Sequence, residues 1–152
     1  MSFNYTHTLE NIYNVPMNNI KYIHGCVADK LYSFGQKIKY GHRIGISSCD
    51  PNRQTLLTET AKNVREIIEQ NESYFSGLNN VETIKIFGHS YSDIDFPYFE
   101  TINYYAKEAK WEFGWHKCKD IQAAETYMKR LGIDHSQGKV LPNDNLFEKI
   151  QV

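Results

Sequence analysis

Apolar positions recur along this chain in two rhythms. Leu57, Ala61, Val64 and Ile68 follow one another at intervals of four, three and four, while Lys62, Arg65, Glu66 and Glu69 fall largely off that line. That spacing predicts one buried helical stripe. Phe99, Ile102 and Ala106 form a second stripe behind Asp95, Phe96 and Pro97, a helix start in which proline is tolerated. Ile121, Ala124, Met128 and Leu131 form a third, with Asp120 as the predicted cap and Gly132 as the stop. A shorter helix over Leu9, Ile12 and Tyr13 is predicted to end near Pro16. The other rhythm is extended. Residues 2–5 make a short extended start, residues 20–24 alternate and meet Gly25, and residues 43–47 precede a turn at 50–52. Residues 81–87 run into Gly88, residues 110–116 alternate, and Val140 and Leu141 form a last short strand broken by Pro142.

The predicted order is β-α-β-β-α-β-α-β-α-β. Strands that alternate with helices imply an α/β fold, a mostly parallel three-layer sheet with helices on both faces. In such Rossmann-like sheets, ligands bind beyond the carboxyl ends of the strands. The length of 152 residues argues for a single α/β domain, 1–152.

Composition narrows the function classes. A formal net charge of −1 gives no electrostatic ground for nucleic acid or membrane as a partner. No apolar run approaches the ~18 residues that span a bilayer, and no basic start leads into an apolar leader, so a cytoplasmic protein is expected. Cys26, Cys49 and Cys118 are odd in number and widely spaced, which argues against a disulfide framework or a zinc site and for a reducing compartment. The six histidines include no paired ligand spacing, so no metal is expected. Tyrosine is the commonest aromatic, with 11 copies, and its apolar ring with a polar tip suits half-buried surfaces or an interface.

Candidate chemistry gathers where predicted strands run out. The first group holds Asn4, the second His24 and Gly25, and the third runs from Gly88 through His89, Ser90, Tyr91, Ser92 and Asp93 to Asp95. A glycine after a strand lets the backbone turn sharply and approach a ligand. Ser90, Ser92 and the N–H groups of the next helix suit a phosphate or ribose. Asp93 or Asp95 suits ribose hydroxyls, His24 suits general-base work near neutral pH, and Asn4 can orient a water or an amide. Each residue also has a plainer use. His24 can be a hydrogen-bonded turn residue, Ser92 and Asp93 can cap a helix, and Asn4 can fix its own turn.

Together, FNYTHTLENIY, IKYIHG and IKIFGHSYSDIDFPYF resemble the AbiH abortive-infection family, on Asn4, Thr6, His24, Gly25, Gly88, His89, Ser90, Asp95, Tyr98 and Phe99. The tail WEFGWHKCKDIQAAETYMKRLGI is similar as well. The resemblance is to the C-terminal part of such a protein and implies a role in bacterial phage defence. That family is in turn similar to the sirtuin-like NAD-binding fold. The likeness implies NAD or a related nucleotide as ligand, with NAD-glycohydrolase-type activity in the intact family protein. By it, Asn4 and His24 are catalytic, with His24 the base, while Gly25, Gly88, His89, Ser90, Asp93 and Asp95 bind the cofactor or hold its loop. The sequence departs from the pattern in three places. Thr6 stands where sirtuins have Asp, the four-Cys zinc module is missing, and the first Gly-rich βα unit is absent, so the chain starts where the second strand would stand. Without that unit the expectation is a truncated product, a rearranged sheet, or a sheet edge covered by self-association or by a partner chain.

Two other function classes compete. One is a non-catalytic sensing or protein-interaction domain, which the abundant tyrosines suit. The other is a serine hydrolase, with Gly88-His89-Ser90-Tyr91-Ser92 as an approximate nucleophile elbow, Ser90 as nucleophile and His116 or His135 as base.

Overall fold

The structure is a computed structural model, and it describes residues 1–4, 6–25 and 64–147. The chain divides into two compact units, Met1–Asn63 and Val64–Val152. The expected strand at 43–47, the turn at 50–52, the start of the first long helix, and Cys26, His42 and Cys49 lie outside the described residues.

In the first unit, helix α1 spans Thr8–Tyr13, with His7 at its N-cap. Leu9 is half-buried, but Ile12 and Tyr13 of the predicted stripe are exposed, and the helix has no buried residue. Asn14 ends it in the left-handed conformation, which asparagine tolerates better than most residues. A 3-10 turn over Met17–Asn19 follows Pro16. Among the described residues, the expected strand at 20–24 pairs through one parallel bridge, Ser2 to Tyr22. The Ser2 N–H donates to Lys21 O at 2.7 Å and the Ile23 N–H to Ser2 O at 3.1 Å. The chain turns straight afterwards, with Gly25 N–H bonded back to Tyr22 O and Gly25 at φ +75. That turn takes Ile23 and His24 out of extended pairing.

The second unit holds the α/β core. Helix α2 covers Val64–Gln70 and α3 covers Glu72–Ser76, followed by a 3-10 turn over Gly77–Asn80. Asn71 interrupts the helix between α2 and α3. Its Nδ2 donates to Ile67 O at 2.7 Å, the local competition with the helical ladder that disfavours asparagine in helix interiors. Strand β1 spans Thr83–Ile86, α4 Phe96–Tyr105, β2 Lys110–Trp115, α5 Lys119–Arg130, β3 Gly138–Pro142 and α6 Asn143–Phe147.

The three strands pair in parallel in the order β1-β2-β3, so the expected α/β fold with a parallel sheet is present. Register sorts the two faces. Ile84, Trp111 and Gly138 share one rung, and Ile86, Phe113 and Val140 share another. Trp111 and Phe113 are fully buried, with rings stacked at 5.7 Å. Helix α5 and the segment after it pack on this face so closely that a Cβ on Gly138 would stand 2.6 Å from Ile133 Cγ2 and 2.9 Å from Met128 Sδ. Lys85, Glu112 and Lys139 form the intervening rung on the opposite face. There the buried Glu112 carboxylate meets Lys85 Nζ at 3.5 Å and Lys139 Nζ at 3.0 Å. The same face carries Gly114, where a Cβ would collide with Asn143, Leu146 Cδ1 at 2.6 Å and Ile86 O at 2.7 Å. The short α6 therefore covers the carboxyl end of that face, and glycine is the residue that lets it close. Pro142 is the last residue of β3, whose outer side has no paired strand among the described residues, a place where the missing N–H costs no ladder bond.

Candidate functional site

The segment after β1, residues 87–95, leaves the sheet at the carboxyl end of its strand and feeds α4. Gly88 sits at φ +61, and a Cβ there would meet nothing within 4 Å. Backbone conformation, and not crowding, is what asks for glycine at this position. His89 folds inward, with its side chain only 9% exposed. The Tyr91 N–H donates to His89 Nδ1 at 2.8 Å. That bond makes Nδ1 an acceptor and puts the ring proton on Nε2, which points to Asp95 Oδ2 at 3.4 Å. Asp95 is also the N-cap residue of α4, without a side-chain cap bond. Asp95 and His89 thus hold the loop to the start of its helix.

Tyr91 is buried and takes φ +55, a conformation uncommon for an aromatic residue. Two interactions oppose the strain. Its hydroxyl donates to Gly114 O at 2.5 Å, and its ring packs on Phe113 and Tyr127. Burial, and then the Asp120 charge, push this hydroxyl well above the ordinary tyrosine value, so it stays a donor. Tyr127 of α5 lies under the loop, with His89, Phe96 and Phe99 rings around it at 6.1, 5.0 and 5.4 Å. Its hydroxyl is raised in the same way, by burial first and the Asp95 charge second. At the rim, Arg130 pairs with Asp93 and lies 4.1 Å over the Phe96 ring. Ser92 Oγ accepts from the Ile94 N–H at 3.2 Å, and Ser90 is exposed.

The expected cofactor residues of this unit therefore separate into two sets. Gly88 and Ser90 present backbone and hydroxyl at the outside of the loop. His89 and Asp95 face inward, and Asp93 is held at the rim by Arg130. Ser92 and Asp93 do not cap α4 with their side chains. Asp120 is not the cap of α5 either: Cys118 stands at that N-cap, and the Asp120 carboxylate reaches back from the first turn to the Lys117 N–H at 2.9 Å. Sequence reading placed Tyr91 in the candidate loop without its anchoring role, and missed Gly114, Tyr127 and Arg130. Their partners lie 23 to 37 residues away, so periodicity carried no signal for them.

A serine-nucleophile elbow is not formed at Ser90. An elbow enters its helix directly at a strained nucleophile, whereas here the positive φ belongs to Tyr91 and α4 begins only at Phe96. His116 and His135 are both exposed. Among the described residues, no three His, Cys, Asp or Glu side chains gather as metal ligands, and no helix is long and apolar enough to cross a membrane. A shallow depression between Met128, Ile133 and His135 lies at the C-terminal end of α5, and the loop after β1 does not line it.

In the first unit, His24 is 1% exposed and its ring lies 5.8 Å from that of Phe3. The Asn4 N–H donates to Ser2 Oγ at 3.2 Å, and Asn4 itself is exposed. His7 Nδ1 meets Glu10 Oε1 at 2.8 Å, and the Tyr22 hydroxyl donates to Glu10 Oε2 at 2.5 Å.

No curated protein and no solved structure matches the chain. A family model described as Bacteriophage abortive infection AbiH matches residues 1–115, which takes in Asn4, His24, the whole loop after β1 and strand β2, and ends before α5. With well over half of its length matched, this chain belongs to the AbiH family.

Proposed function

We propose that the chain serves phage abortive infection in the bacterial cytoplasm by binding NAD or a related nucleotide, which the intact family protein cleaves at its glycosidic bond. The observation that carries this reading is the loop after β1. It leaves the carboxyl end of a parallel strand, turns on a left-handed glycine and presents Ser90 outward, and it is held by an inward His89–Asp95 pair. Strand ends of this kind are where α/β sheets take nucleotides. Gly88 and Ser90 contact the ligand in this account, and Asp93 and Asp95 hold the loop. In the first unit Gly25 supplies the turn, and Asn4 and His24 are the residues to which the sirtuin likeness gives the nicotinamide end. NAD incubated with the intact chain is expected to disappear with release of nicotinamide, and His24→Ala is expected to abolish the loss. Equal rates in the two proteins would remove His24 from the chemistry.

A second reading, an interaction domain, is favoured by one observation. Ile12, Tyr13 and Met17 of the first unit are 66%, 47% and 59% exposed, and exposed apolar side chains that form a patch mark contact sites.

A further inference from the structure

Two left-handed residues bracket His89 and Ser90 in the loop after β1: Gly88 at φ +61 and Tyr91 at φ +55. Glycine takes that conformation freely, whereas tyrosine is strained in it. Strain of this kind persists only where the surrounding structure holds it, and such positions cluster at ligand-binding segments. Here the Tyr91 side chain does the holding. Its hydroxyl donates to Gly114 O, on the rung that pairs Gly114 of β2 with Leu141 of β3. Its ring centroid lies 6.4 Å from that of Phe113 and 5.3 Å from that of Tyr127. The next two residues are tied to α5: the Tyr127 hydroxyl donates to Ser92 O at 3.4 Å, and Arg130 pairs with Asp93. Tyr91 is 8% exposed, and Ser90 before it is exposed. Seating the tyrosine inward is thus coupled to turning the serine outward.

We infer that Tyr91 is the positioning residue of the nucleotide site, a latch whose seating on β2 and α5 holds the loop in the shape that offers Gly88 and Ser90 to the ligand; this rests on the nucleotide reading above. The strained backbone opposes the anchored side chain, so the margin between the latched loop and a relaxed one is small. A ligand that binds only the latched loop sees its affinity reduced by the fraction of chains that are latched. By linkage the ligand in turn favours latching. Loss of the anchor therefore weakens binding, while saturating ligand restores the latched loop and with it the rate of the bound chain.

The test uses the intact chain, NAD as the probe and Tyr91→Phe, which keeps the ring and removes the bond to Gly114 O. Amide hydrogen exchange over residues 88–95 is expected to run about three- to tenfold faster in the variant, the fold-change that one net hydrogen bond corresponds to, and to return to the wild-type rate under saturating NAD. The Kd for NAD and the KM for nicotinamide release are expected to rise by about the same factor while kcat holds. Glu112→Ala, a destabilising change on the opposite face of the sheet, is the control for stability alone and is expected to bind NAD within about twofold of wild type. Loop exchange unchanged in Tyr91→Phe, equal NAD affinity in Tyr91→Phe and wild type, a fall in kcat in place of the rise in KM, or an equal loss of affinity in Glu112→Ala each overturns the latch and leaves the nucleotide reading standing. A wild-type chain that binds no NAD sinks both.

Discussion

At the residue scale, two positions carry most of the physical argument. Gly114 has no room for a side chain, since Leu146, Asn143 and the Ile86 carbonyl crowd its Cα. Gly114→Ala is therefore expected to destabilise the chain by about 1–3 kcal/mol, the usual cost of overpacking, read as a lower midpoint in thermal denaturation. Tyr91 offsets a left-handed backbone with one buried hydrogen bond and ring packing. Tyr91→Phe removes the bond to Gly114 O and is expected to cost roughly 1 kcal/mol. A pH effect follows from Glu10. Its folded-state value lies below the 4.5 of an ordinary glutamate. The stabilisation it brings is thus complete above about 4.5 and fades as pH falls through the lower folded value. The stability difference between wild type and Glu10→Gln should be present at pH 7 and vanish towards pH 3; a difference that persists in acid would contradict the hydrogen-bond account. None of these roles was legible in the sequence. A tyrosine after Gly-His-Ser announces neither a positive φ nor a carbonyl partner 23 residues away.

At the scale of elements, the sequence carried more. Of the stripe Ile121, Ala124, Met128 and Leu131, the last three are buried and Ile121 is half-buried, while Phe99, Ile102 and Ala106 are all buried. Tyr98 and Tyr127 are buried too, although tyrosine gives no clean signal in a periodicity count. Strands β1, β2 and β3 fall within or around their predicted stretches because β-branched and aromatic residues alternate there. The extended stretch at 20–24 has the same alternation, and among the described residues its bridge partner is Ser2. Register was not readable from the sequence, and it sets Glu112 between two lysines on one rung. Removing that carboxylate by Glu112→Ala is expected to cost about 1–2 kcal/mol, less than a fully buried pair because Lys139 is half exposed. Replacing Lys85, Glu112 and Lys139 together by Met, Leu and Met should recover most of the loss, as chemical denaturation of the set would show. Recovery that fails would mean that the rung does more than neutralise itself.

At the scale of the molecule, the family match and the α/β core agree with the kinship read from the motifs. The family match ends at Trp115, so Tyr127 and Arg130, which hold the loop after β1, lie beyond it. The exposed Ile12, Tyr13 and Met17 are where an interaction reading is tested. Concentration-dependent self-association, followed by sedimentation, should be reduced by Ile12→Asp with Met17→Asp if a second copy covers them. A monomer at all concentrations in both proteins would remove self-association from the account. The most direct test of the nucleotide reading is a calorimetric titration of the intact chain with NAD. The account predicts a saturable heat for wild type and its loss in Ser90→Trp, a bulky group on an exposed loop residue that the fold tolerates. No saturable heat for wild type, or an unchanged one in the variant, would contradict it.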